Sequence, residues 1–154
     1  MKSNAVVRLP LRHRAISAIT VSPKAARLNL YFNLLSHNVH AEEVVDFLRQ
    51  LKRQLAAPLT VLWDGSSVHS KAKLVKAFLA ANPEIVAEDL PAYASEINPD
   101  ELVWGWSKYG RLANLAAKDT DQLAEYIIDD LTYLQENPHL LASFLNKTKL
   151  PLAG

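Results

Sequence analysis

Leu59-Thr60-Val61-Leu62-Trp63 is a nearly continuous apolar run that stops abruptly at Asp64-Gly65-Ser66-Ser67. A run that short and that apolar suits a strand buried on both faces, as in the parallel part of an α/β sheet. Asp64 then falls at the carboxyl end of a buried strand, which is where open α/β sheets place their ligands. A plainer reading competes with this one: Asp64-Gly65 is also a good turn.

The neighbouring segments fit an α/β layout. Ala15 to Val21 is β-rich and ends at Ser22-Pro23, and Arg27 to Asn33 alternates, with Leu28, Leu30 and Phe32 on one face; the pair reads as an antiparallel hairpin. From Ala41 the period changes. Val44, Leu48, Leu51 and Leu55 recur at helical spacing, with Glu42 and Glu43 in the first turn, where the helix dipole favours anions. After Asp64, Ser70 is placed to cap a helix carrying Leu74, Val75, Phe78 and Leu79, and residues 84–88 read as a short strand. Asn98-Pro99 is a strong helix start, predicting a helix through Trp104 and Lys108 to about Asn114. Two more helices follow, one from Thr120 with Leu123, Ile127, Leu131 and Leu134 inward, and one from Pro138 to about Asn146.

The 154 residues suffice for one domain with a real core, and composition is that of an ordinary globular protein: 49% hydrophobic and 21% charged. No stretch approaches the roughly 18 apolar residues of a membrane span, and no secretory signal is visible, so a cytoplasmic location is expected. The absence of cysteine excludes disulfides, thiolate zinc sites and cysteine nucleophiles. Net charge is +1, but residues 1–41 carry six basic side chains and no Asp or Glu, leaving −5 for the rest. Such asymmetry points to a polyanionic partner, or to two separate solvated surfaces.

Glu101 is the second acidic residue of interest, at the third position of the helix that Asn98 would cap; there it also serves the cap and the dipole. The surroundings of the two acids are more telling than either acid. Asp64-Gly65-Ser66-Ser67-Val68-His69, followed by a loop with Pro91, Tyr93, Glu96, Ile97, Asn98, Pro99, Glu101 and Trp104, resembles the catalytic half of DDE transposases of the mariner-type superfamily of insertion sequences. The 36 residues between Asp64 and Glu101 are close to the spacing of that family. The likeness extends to the hairpin, to Phe47-Leu48-Arg49-Gln50-Leu51 and to Leu150-Pro151-Leu152, and so covers the chain from about Pro10 onward.

The resemblance implies a ribonuclease-H-like mixed sheet flanked by helices. It also implies two divalent ions, Mg²⁺ or Mn²⁺, between three carboxylates, with Asp64 and Glu101 as the second and third. Clustered carboxylates stay ionised together only when cations neutralise them, and two such ions can activate a nucleophile and stabilise the leaving oxygen of a phosphoryl transfer. The implied reaction is DNA strand cleavage and strand transfer on transposon ends and target DNA, in a nucleoid-associated prokaryotic protein. His69 matches the histidine of the family and could contact a phosphate or pack the helix start. Asp100 points about 100° away from Glu101.

The departure is upstream. In the family the first acid lies on the first, central strand, whereas here the earliest acid is Glu42, and no helix-turn-helix precedes it. A single domain over 1–154 is therefore expected, truncated at its N-terminus, with that central strand missing or substituted and two sheet edges left open. Ala5-Val6-Val7-Arg8-Leu9 could partly fill the gap without supplying a carboxylate. Such a chain is expected to be inactive alone and to work, if at all, with an upstream transposase polypeptide or as a homo-oligomer. The rival readings are a non-enzymatic module that binds full-length transposase or its DNA, an unrelated metal-dependent phosphohydrolase, and a decayed remnant. Trp104 and Trp106 read as packing residues. Lys71, Lys73, Lys76, Lys108 and Arg111 read as a solvated helix face or a phosphate track. His13, His37 and His40 have no carboxylate at a ligand-like spacing, and none is assigned a metal.

Overall fold

A computed structural model of the chain describes residues 3–8, 15–22, 27–35, 37–63, 72–90, 99–106 and 120–147, with backbone alone for 3–8, 22, 99–102, 120, 121 and 123. Five strands, β1 (Ser3–Arg8), β2 (Ala15–Ser22), β3 (Arg27–Leu34), β4 (Leu59–Trp63) and β5 (Ile85–Asp89), form one sheet in the order β3-β2-β1-β4-β5. The β1–β2 and β2–β3 pairs are antiparallel, while β1–β4 and β4–β5 are parallel. Helices α1 (Ala41–Leu55), α2 (Lys73–Ala81), α3 (Pro99–Trp106), α4 (Thr120–Glu136) and α5 (Pro138–Lys147) complete the described elements.

The sheet separates two cores. On one face Ile16, Ala18, Leu59, Val61, Trp63 and Ile85 meet α1 and α2, with Val44, Phe47, Leu48 and Leu51 as the main α1 contribution. On the other face Ala15, Ile19 and Leu30 meet Val103 and Trp104 of α3, Leu131 and Leu134 of α4, and Leu141 and Phe144 of α5. Successive strand residues point to opposite faces, so β2 contributes to both cores in turn. Every residue from Ala15 to Val21 is buried. In β4, by contrast, Thr60 and Leu62 are only half-buried. The strand covered on both faces is thus β2, and the apolar run of β4 is fully buried on the α1–α2 side alone.

The expected opening at the centre of the sheet is closed. β1 lies between β2 and β4, pairing Asn4–Arg8 with β2 and Ser3–Val7 with β4. The expectation of two unpaired edges is corrected there: Ala5-Val6-Val7 has strand propensity, and a central slot offers both rows of its backbone groups a partner. The substituted strand of the sequence reading is this one.

Local chemistry sets most element ends. The His40 amide donates to Glu43 Oε2 at 3.0 Å, so the side chain three residues on satisfies one of the free N-terminal donors of α1. At the other end Ala56 adopts the left-handed conformation, φ 48° and ψ 39°, and its amide closes on the Lys52 carbonyl at 3.0 Å. Helix α2 begins at Lys73 with Ala72 as N-cap and no side-chain cap, so the cap expected at Ser70, outside the described residues, does not set this start. Pro99 is the first residue of α3, as expected; its continuation beyond Trp106 falls outside the described residues. The break between α4 and α5 is made by Asn137, whose Nδ2 donates to the Tyr133 carbonyl at 2.7 Å, and by Pro138 at the first position of α5.

Candidate functional site

The carboxyl ends of the parallel strands define the place to look. Val7 of β1, Trp63 of β4 and Asp89 of β5 lie side by side in register. Trp63 Nε1 donates to Asp89 Oδ1 at 3.0 Å, and the Leu90 amide donates to the Trp63 carbonyl at 2.6 Å, fixing the two strand ends together. Asp64 follows Trp63 directly. Its own placement, with that of His69, Lys71 and the rest of 64–71, lies outside the described residues.

Helix α3 is anchored near that end of the sheet. Trp104, 9% exposed, donates from Nε1 to Oγ of the fully buried Ser17 at 2.8 Å. Ser17 pairs across the ladder with Arg8, the residue after Val7. Position 101 precedes Trp104 by three residues and shares its helix face. The Glu101 and Asp100 side chains, and therefore the separation of the Asp64 and Glu101 carboxyl groups, lie outside the described residues, as do Lys108 and Arg111. Trp106 is half-buried and stacks on Tyr133, with ring centroids 6.1 Å apart and planes 8° from parallel.

The parallel register also brings up two acids that the sequence reading passed over. Asp89 is tied to Trp63, and Glu88 is exposed opposite Leu62. Read as a chain, 84–88 is only a short strand; its position beside the end of β4 depends on pairing between segments 26 residues apart. A second correction concerns His37. Its Nε2 contacts Glu43 Oε1, so it does have a carboxylate partner, brought close by the turn into α1. Desolvation pushes the Glu43 carboxyl up, but hydrogen bonds from His37, its own backbone and the His40 amide outweigh this and hold it below the ordinary carboxylate value. Glu84 is likewise lowered, first by the hydrogen bond from Lys52, whose Nζ lies 2.6 Å from Glu84 Oε1. The Lys52–Glu84 pair sits at the other end of the sheet, where β5 begins.

As to metal, β1 reads Ser3-Asn4-Ala5-Val6-Val7-Arg8 and brings no carboxylate to the centre of the sheet. Among the described residues no group of three His, Asp or Glu side chains is placed to hold an ion. A three-acid site that takes its first carboxylate from the central strand is not formed by this β1. Asp64 and Glu101 as a pair are of the right chemistry for a single hydrated hard cation, which commonly takes one or two carboxylates plus substrate oxygens.

Three antiparallel strands, then two parallel ones with the first strand central and helices on both faces, constitute a ribonuclease-H-like fold. The structure is similar to the Mos1 strand transfer complex, with a TM-score of 0.56 at 12% identity over 97% of this chain and 55% of that one. A weaker likeness, TM-score 0.46 at 9% identity over 82% of this chain and 46% of the other, is to a simian T-cell lymphotropic virus intasome in complex with the PP2A regulatory subunit B56 gamma. The chain thus spans about half the length of the solved structures it resembles. No curated protein matches it. A family model described as DDE superfamily endonuclease matches residues 9–124, and the chain belongs to that family. The family is generally dependent on divalent metal. The match begins after β1, so the strand at the centre of the sheet lies outside it. Among the described residues no helix is long and apolar enough to cross a membrane.

Proposed function

We propose that this chain is the carboxyl-terminal part of the catalytic domain of an insertion-sequence DDE transposase, acting on DNA. In this reading Asp64 and Glu101 are the metal-bearing acids, and the chain does not cleave or join DNA strands by itself. The observation that carries the reading is the identity of β1: the strand between β2 and β4 holds no Asp or Glu and ends on Arg8. A bound Mg²⁺ or Mn²⁺ would neutralise the two acids and polarise a scissile phosphate. The part played by the chain itself is to hold position 101 against the sheet through Trp104, and to deliver residue 64 from the end of β4. With two acids in place of three, the charge needed to position a pair of ions is missing.

The test is a nicking assay on supercoiled plasmid with the purified chain in Mg²⁺ and in Mn²⁺. No nicking is expected. Nicking that persists through purification and is abolished by Asp64→Asn would show the chain to be an active nuclease and overturn the inactive reading. The acid-free β1 also favours a second reading, a non-catalytic module that binds full-length transposase or its DNA. Size-exclusion chromatography with and without the upstream transposase polypeptide separates the two: complementation requires a stable complex that restores cleavage.

A further inference from the structure

Helices α1 and α2 pack side by side on one face of the sheet and leave an open groove of about 840 Å³ between them. Its lining includes Val45, Leu74 and Phe78, and its α1 rim carries Arg49, Lys52 and Arg53. Leu74 is 45% exposed. Two of the cations have partners in the chain: Lys52 with Glu84 at 2.6 Å and Arg49 with Asp46 at 3.3 Å, the latter on the surface, where such a pair contributes little. Arg49 also lies over the Phe78 ring, 5.5 Å from its centroid, so its charge borders the apolar lining. Among the described residues no anion pairs with Arg53.

The opposite face of the sheet carries the complement. Helix α4 contains no Lys or Arg. Glu125, Asp129 and Glu136, spaced four and seven residues apart, form one exposed acidic stripe, and among the described residues none has a cationic partner. Ile128 lies beside it, 43% exposed. An apolar residue among acids on a helix face matches an apolar groove with a basic rim.

We propose that the α1–α2 groove of one copy of this chain receives the α4 stripe of a second copy, with Ile128 entering beside Leu74 and Phe78 and Asp129 facing Arg53. The groove belongs to the core on one face of the sheet and α4 to the core on the other, so they cannot meet within one molecule. The contact is therefore head-to-tail, which builds rings or open chains rather than a closed two-fold pair. A nucleic acid suits the groove less well. A duplex draws its affinity from phosphates along a continuous basic track, whereas two of the three cations on this rim are already paired within the chain. This inference is independent of any cleavage activity.

Sedimentation velocity of the full chain over a concentration series tests it. The expected result is self-association at low salt that weakens at high salt, as screening of facing charges requires. Arg53→Glu and Asp129→Arg should each weaken it by roughly tenfold or more, and an equimolar mixture of the two variants should associate again through the reversed pair. Both substitutions are at exposed positions, and circular dichroism checks that each variant is folded; Ile128→Ser probes the apolar half without touching charge. A chain that stays monomeric at low salt overturns the proposal, as do folded single variants that associate like the wild type. So does an Arg53→Glu variant that loses affinity for a DNA duplex while its self-association is unchanged.

Discussion

Trp104 and Ser17, 87 residues apart in sequence, are joined by a 2.8 Å hydrogen bond inside the core formed by β2, β3 and helices α3 to α5. The serine is fully buried in β2, between Ile16 and Ala18 and with buried Ile19, Thr20 and Val21 beyond. Its hydroxyl gives the indole N–H an acceptor inside the core and ties α3 to β2. Loss of an acceptor at such a site costs about 1–3 kcal/mol. Ser17→Ala and Trp104→Phe should each destabilise the chain by that order in urea unfolding. The double variant should cost less than the two single effects added; simple additivity would mean that the bond contributes nothing specific.

The Glu43 carboxyl connects helix α1 to the turn before it, through His37 and the His40 amide. Its folded value lies below the ordinary 4.5, so its contribution is fully present above that pH and is lost as pH falls through the folded value. Glu43→Gln should therefore lower stability at neutral pH by roughly 0.5 kcal/mol, and the gap from wild type should close on going from about pH 6 to pH 3. Parallel unfolding curves at the two pH values check this; a gap that widens in acid would contradict the assigned direction.

Ala56 holds a conformation that costs a residue with a Cβ about 1–2 kcal/mol, while glycine adopts it freely. Part of that gain is returned to the more flexible unfolded chain. Ala56→Gly is expected to stabilise the protein by about 0.5–1 kcal/mol, seen as a higher urea midpoint with unchanged slope. A lower midpoint would mean that the helix end is held by something other than its backbone geometry.

Arg8 lies at the end of the central strand, opposite Ser17 and one residue beyond the partner of Trp63. If Asp64 and Glu101 share a cation site, an acid at position 8 adds a third carboxylate and removes a repelling charge. Arg8→Asp should tighten Mn²⁺ binding, measured by calorimetry, by roughly tenfold or more. Adding Asp64→Asn should abolish the gain. An Arg8→Asp variant with the Mn²⁺ affinity of the wild type would remove the central strand from any account of the site.

Local patterns carried much of the element list, because each of those patterns has a local cause. Val44, Leu48 and Leu51 repeat at the helical period, so α1 could be read directly; Pro99 sets a helix start by its missing N–H; Leu59 to Trp63 is short and apolar enough to read as a strand, although only one of its faces is fully buried. The family and its candidate acids, Asp64 and Glu101, were legible as a loop composition at a fixed spacing, and residues 9–124 match that family. The Ser70 cap was misplaced because Ser, Thr, Asn and Asp can cap or turn equally well, and only the helix chooses between them.

Pairing was a different matter. The sequence offered Ala5 to Leu9 only as a partial filler of the central gap; the pairing itself is not written in Ser3–Arg8, because the free edges that recruit it belong to β2 and β4. The same holds for burial of β2 on both faces, for Asp89 beside Trp63 and for Ser17 under Trp104. A one-dimensional period fixes which side of an element is apolar; what covers that side is decided only when distant segments close on one another. The charge pattern behaved likewise. The sequence set how many acids α4 carries and that no base accompanies them, while the sheet put that stripe and the basic groove on opposite faces.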